Sequence, residues 1–298
     1  MPSNCLDIVV YNPSTGIYKH VEVADLASPM TSNTFGLGFD AANDDYKVVR
    51  IIHDSLNHIN KMDVMVYSLK MNSWRQAKNS RTIVSFPYHQ GKEVSVIDNH
   101  LLHWIIETTP SQLEIACFDI CNEIWTEDIV WPYSLVIGSR LKPQLGVLDG
   151  CLYVIFKIPS ENKLDIWVMK EYGVNESWMK LFEISNQCLE LPVNIIYDSP
   201  WRLKLLCYTN KSKDEISIWD DGLSSLIWFD LKNNNVKSIK MIRGFKLPRL
   251  ITSVYLCNGS LVNIPGGRPL QINKGFRFSL KEVFRIASRK FTKGCWLP

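Results

Sequence analysis

Short runs of apolar residues along this chain end on an aromatic side chain. Six residues rich in Asn, Ser, Asp and Lys follow, and then a second large apolar residue. The pairs Tyr11 and Tyr18, Tyr67 and Trp74, Phe118 and Trp125, and Phe229 and Val236 stand seven apart, and the corresponding stretch from Trp167 to Trp178 is four residues longer. Apolar residues alternate on the way in (Val64, Val66), and turn formers such as Asn12-Pro13-Ser14-Thr15-Gly16 or Asn233-Asn234-Asn235 lie between. That pattern predicts β-hairpins whose aromatic residues flank the turn.

A second series interleaves with the hairpins, each member a turn signal followed by a β-rich run. These leading strands are Tyr46–Ile51, Leu101–Ile105, Leu152–Phe156, Leu203–Tyr208 and Leu261–Ile264. Strand and hairpin thus recur about every 50 residues. One such unit cannot bury its own apolar face, so the period predicts an all-β, kelch-like β-propeller of about five blade-like units. The chain opens with a hairpin (Val9–Val23) that lacks a leading strand and closes on a leading strand, Leu261–Ile264, that lacks a hairpin. Pairing these two pieces would close the ring and remove exposed sheet edges; the alternative is a fragment whose first hairpin has lost upstream partners.

Composition sharpens this picture in three places. At 298 residues with 46% hydrophobic and 21% charged residues, the chain can fill a packed core. The net charge of +3 is unevenly placed: the last 25 residues carry seven basic residues against Glu282, leaving residues 1–273 at −3. A body of that sign excludes a general nucleic-acid partner for residues 1–273. The expected organisation is a propeller-like domain over 1–265 and a basic extension over 266–298. In that extension Leu280, Val283, Phe284, Ala287 and Phe291 fall near helical spacing, so it is either a basic amphipathic helix or a solvated tail. No apolar run reaches the roughly 18 residues of a membrane span, and Met1-Pro2-Ser3-Asn4-Cys5 lacks the basic and apolar regions of a signal peptide, so the expected location is inside the cell, in cytoplasm, nucleus or both. The eight cysteines contain no C-x-x-C pair and read mainly as buried thiols.

Candidate chemistry is sparse. The nucleophile elbow, the phosphate loop and the zinc-protease motif are all missing from the sequence, and Gly36-Leu37-Gly38 reads as a glycine-bearing strand leading into Phe39-Asp40. The His100/His103 and His53/His58 pairs lack two further local ligands for zinc. The expectation is therefore a chain with no catalytic, metal or cofactor site, and no enzyme. Most of the ten tryptophans sit at the repeated position or inside strands, where packing explains them. Trp131, Tyr133 and Trp201 instead flank the repeat in proline-bearing connections, and they are the candidate partner-binding residues.

The order of motifs carries a resemblance. Val10-Tyr11-Asn12-Pro13-Ser14-Thr15-Gly16 is followed by Leu37-Gly38-Phe39-Asp40, Asp45-Tyr46-Lys47-Val48-Val49-Arg50-Ile51 and Val66-Tyr67-Ser68-Leu69 with Ser73-Trp74-Arg75. Then come Leu102-His103-Trp104, Ala116-Cys117-Phe118-Asp119, and Asp165-Ile166-Trp167 through Glu171-Tyr172-Gly173-Val174 to Trp178. Over about residues 8–245 this resembles the F-box-associated interaction domain of plant F-box proteins, the group that includes S-locus F-box and F-box/kelch-repeat proteins. The resemblance implies a module that recognises a protein target for a cullin-based ubiquitin ligase. It also implies a Skp adaptor as partner, reached through a three-helix F-box. The stretch before Tyr11 is too short for an F-box, so the expected module does not dock the adaptor. The competing expectations are a truncated, non-functional family member and a propeller-type carbohydrate-binding protein.

Overall fold

The computed structural model describes residues 6–12, 14–23, 31–54, 61–79, 81–82, 95–97, 100–109, 112–130, 143–158, 163–185, 203–220, 225–241, 264–269 and 283–285. Strands β1 (Leu6–Asn12) and β2 (Ile17–Val23) form the first hairpin. The second sheet is β3 (Thr31–Asp40), β4 (Asp45–Asp54), β5 (Lys61–Ser68) and β6 (Ser73–Gln76), with the short β7 (Arg81–Thr82) also beside β5. The third runs β8 (Ser95–Ile97), β9 (Leu101–Thr109), β10 (Gln112–Asp119) and β11 (Ile124–Trp125). The fourth is β12 (Gln144–Leu148), β13 (Cys151–Ile158), β14 (Lys163–Met169) and β15 (Trp178–Ser185). The fifth is β16 (Leu203–Tyr208), β17 (Glu215–Asp220), β18 (Ser225–Asp230) and β19 (Asn235–Met241).

Among the described residues five sheets of the kind expected are present, and the four pairs spaced by seven are true cross-strand partners, whereas Trp167 faces Lys180 and Trp178 faces Met169. Tyr11 faces Tyr18, Tyr67 faces Trp74, Phe118 faces Trp125 and Phe229 faces Val236. The unit nevertheless has four strands where strand plus hairpin predicts three. The leading strands β4, β9 and β13 are second in their sheets, preceded by β3, β8 and β12. Those extra strands carry weak signals: β3 and β12 contain Gly36, Gly38 and Gly146, and β8 has only three residues.

Why the strands read as continuous apolar runs is clear from the packing. Successive side chains of a strand point to opposite faces, and here both faces are covered. Val48 packs with Ile8, Val10 and Phe35 between the first and second sheets, while its neighbour Val49 packs with Trp104 and Phe118 between the second and third. Ile105 and Val154 meet between the third and fourth sheets, and Ile155, Phe182 and Phe229 between the fourth and fifth. Each such side chain contributes roughly 1.5–3 kcal/mol on burial. Gly146 lies opposite Tyr153, and a Cβ there would sit 2.1 Å from the tyrosine ring; the glycine lets that ring lie flat, and its hydroxyl accepts the Leu205 N–H of the fifth sheet at 3.1 Å.

The first sheet draws strands from both ends of the sequence. β20 (Arg268–Pro269) pairs with β2, and β21 (Val283–Arg285) pairs in parallel with β1 at Val9–Tyr11. Residues 266–298, set apart as an extension by their charge, thus supply two strands to this sheet. Val283–Arg285 is strand where the apolar spacing suggested helix, because β1 offers a sheet edge whose hydrogen bonds outweigh local spacing. Of the leading strand expected at Leu261–Ile264, only Ile264 is within the described residues; it is buried beside Ile8 and Val10 and is not in a strand.

Candidate protein-interaction surface

The turns that make the hairpins regular share one device. Asp40, Asp119 and Asp230 each begin a turn, and the carboxylate Oδ1 accepts the backbone N–H groups two and three residues on. The other oxygen, Oδ2, accepts the side-chain amide of Asn43, Asn122 or Asn233 at 2.7–3.0 Å. The residue four places on adopts a left-handed conformation: Asp44 (φ 52°), Glu123 (φ 59°) and Asn234 (φ 50°). Asn12 and Ser68 do the same work, ahead of Gly16 (φ 67°) and Asn72 (φ 55°). Short polar side chains that cap their own turn fix its length, which is why the aromatic pairs stand seven apart.

Outer hairpins also reach back to the preceding sheet. Trp74 donates its indole N–H to Glu22 O at 2.9 Å, and Trp178 donates to Val130 O at 3.0 Å. Trp125, at the same repeated position, lies instead under the Arg81 guanidinium and packs edge-on against Trp104 and Phe118. From the β10–β11 turn, Glu123 reaches the second sheet, where Lys47 Nζ sits 2.7 Å from both Glu123 Oε1 and Asp40 Oδ2 and donates to Ile120 O at 3.2 Å. Arg75 closes the cluster on Glu123. Lys47, Asp40 and Glu123 are almost wholly buried. Burial pushes both carboxyls up, but hydrogen bonds from Lys47 and Asn43 hold Asp40 at about 2, and Arg75 and Lys47 hold Glu123 below the usual carboxylate range. Burial likewise opposes the Lys47 charge, and the two carboxylates outweigh it.

The β14–β15 hairpin departs from the rule. Its turn runs Lys170–Ser177 and includes a single 3₁₀ turn, Asn175–Ser177, with Gly173 at φ 77°. No Asp caps it. The loop is held instead by Ser177, whose Oγ accepts the Glu171 N–H at 3.0 Å and lies 2.7 Å from Val174 O. This longer loop leans onto the third sheet: the Asn175 side chain accepts the Val130 N–H at 3.3 Å. Tyr172 sends its hydroxyl inward, 2.7 Å from His103 Nε2 and 3.3 Å from Cys117 Sγ, both buried on the third sheet. The residue is only partly covered. Tyr172 is 42% exposed, Val174 40% and Val130 56%, so three large apolar side chains reach the surface on two segments that Asn175 and Trp178 join through Val130. Single exposed apolar residues are ordinary, but a group on contacting segments is the mark of an interaction surface.

Trp131, Tyr133 and Trp201, the partner-binding residues expected from the sequence, lie outside the described residues. Val130, the residue just before Trp131, is on the patch. Tyr172 and Val174 are not among those candidates; the signal that marks them is the four-residue excess of their hairpin over its counterparts. Among the described residues, Cys117 is buried, while Cys121, Cys151 and Cys207 are half-buried. Burial pushes the Cys117 thiol up, away from a reactive thiolate. Among the described residues no three His, Cys, Asp or Glu side chains gather to hold a metal ion, and no helix is long and apolar enough to cross a membrane.

Comparison with known proteins adds a lineage to this geometry. Residues 3–243 match the family model of the F-box associated beta propeller domain. Among curated proteins of Arabidopsis thaliana, the chain is 28% identical over 287 residues to F-box protein CPR1, covering 87% of this chain and 66% of the relative. It is 29% identical over 278 residues to F-box protein At4g22390, covering 85% of this chain and 66% of the relative. The chain thus spans slightly less than two thirds of the length of these relatives. Similar solved structures include the Dos1 propeller, at 8% identity and TM-score 0.41 over 79% of this chain and 59% of that one. Another is AofleA from Arthrobotrys oligospora, at 12% identity and TM-score 0.40 over 79% of this chain and 71% of that one.

Proposed function

The chain belongs to the F-box associated β-propeller family, and from that membership we propose that it is a non-enzymatic protein-interaction module, the target-recognising part of an F-box subunit of a cullin-based ubiquitin ligase. The observation that carries this reading is that, among the described residues, the longer hairpin sets exposed Tyr172 and Val174 beside the segment of exposed Val130, whereas the capped turns expose one large apolar side chain, Met71. Loops that break a repeat on a rigid scaffold are where recognition is usually built. The reading goes with an intracellular location, in cytoplasm, nucleus or both. It also assigns adaptor docking to a part other than these sheets, since among the described residues there is no three-helix unit of the F-box kind.

Affinity capture with the purified chain, followed by reconstitution of the strongest hit from pure components, tests this. A direct, saturable complex with a target protein is expected, and mixing with purified Skp adaptor alone is expected to give none. A capture profile no different from that of heat-unfolded chain would overturn the module, and a stable binary complex with the adaptor would overturn the division of labour.

A further inference from the structure

The two segments that carry the exposed patch are Thr126–Val130 and Lys170–Ser177, and their charges are lopsided. Glu127, Glu171 and Glu176 are exposed, Asp128 is already paired with Arg81, and Lys170 is the single cation of these segments. An apolar surface is thereby edged by acidic side chains. It is also rigid. The Tyr172 ring is fixed by its hydroxyl contact to His103 and stands edge-on to that imidazole with centroids 5.5 Å apart, and Ser177 and Asn175 tie the rest of the loop to itself and to Val130. An aromatic side chain held in place before binding loses little entropy on binding, which is what an anchor residue needs.

We propose that the β14–β15 hairpin together with Val130 binds a protein segment carrying an aliphatic or aromatic side chain flanked by lysine or arginine. This rests on the module reading above and names the chemistry of its target. The apolar side chain packs between Val130, Tyr172 and Val174; the flanking cations face Glu127, Glu171 and Glu176, where unlike charges set the register and disfavour acidic segments.

The test is selection of random displayed peptides, about a dozen residues long, on the purified full chain, with binding of the enriched peptides then measured on variants. Enriched peptides are expected to place Lys or Arg beside a large apolar residue. Val174→Asp is expected to weaken them by about tenfold or more, as loss of a central contact does. Glu171→Lys combined with Glu176→Lys is expected to weaken basic peptides by about threefold or more and to favour acidic flanks. A purely structural role for the hairpin would not reverse a charge preference, so this second variant decides the matter if Val174→Asp unfolds the chain in a urea titration. Peptides or a captured protein that bind equally to both variants overturn this surface and leave the module standing. Tightest binding by a peptide of residues 286–298, itself basic and apolar, overturns the external partner in favour of the chain's own tail. No enriched peptide and no captured protein overturn both readings together.

Discussion

The turn at Asp119–Glu123 and the turn at Lys170–Ser177 occupy corresponding hairpins, and each reaches back to the sheet before it. Glu123 does so as an ion, sealed between Lys47 and Arg75 with Asp40 completing the cluster. Tyr172 does so through a neutral hydroxyl on His103, and the residue stays partly exposed. In the first corner the Asp cap fixes the turn and its polar groups are consumed internally. In the second, a longer loop without that cap leaves apolar and acidic side chains over. The same scaffold position is therefore closed in one sheet and available in the next, and the difference lies in turn length and cap rather than in the strands.

Lys47→Met should break the closed corner most severely. Removing the lysine leaves the buried Asp40 carboxylate without its cation and Glu123 with Arg75 alone, a cost of about 3–5 kcal/mol by urea unfolding. Acid titration comes next. The Asp40 and Glu123 carboxyls are held low in the folded chain, so their stabilisation is complete above the unfolded range near ~4 and is lost as pH falls towards about 2. Asp40 accounts for about 2 kcal/mol of that loss, and Asp40→Asn should flatten the acid limb of the stability profile. Asp119→Ala, which uncaps the closed turn, should cost about 1–2 kcal/mol, since two backbone N–H groups and the Asn122 amide lose their acceptor. Tyr172→Phe, the matching change in the open hairpin, should cost about 1 kcal/mol. A Tyr172→Phe cost equal to that of Lys47→Met would erase the contrast. Smallest of all, Glu171→Lys with Glu176→Lys should shift stability by under about 0.5 kcal/mol, as exposed positions do, while changing peptide preference.

Much of the frame was legible because a capped turn of constant length writes itself into the sequence. Tyr67 and Trp74 are seven apart and face each other for that reason, and the longer stretch ending at Trp178 announced the open hairpin. What could not be read is what depends on distant chain. Lys47 and Glu123 are 76 residues apart, and neither has a neighbour in sequence that names the other. β8 and β12 are too short or too glycine-bearing to stand out, and β21 takes its conformation from the edge it joins. Aromatic content points to Trp131 and Tyr133, and hairpin length points to the loop of Tyr172 and Val174, whereas the exposure of Val130 beside that loop is set by packing.

The first sheet has a kinetic consequence. Sheets two to five are each assembled from strands consecutive in sequence, whereas β1 and β2 must find β20 and β21, and Lys19 donates to Pro265 O across 246 residues. Loop-closure entropy makes so distant a contact unrewarding until the intervening sheets have drawn the chain in. Refolding should therefore end with this sheet, and its arrival should set the slowest phase; a probe on Tyr18 would lag one on Trp104.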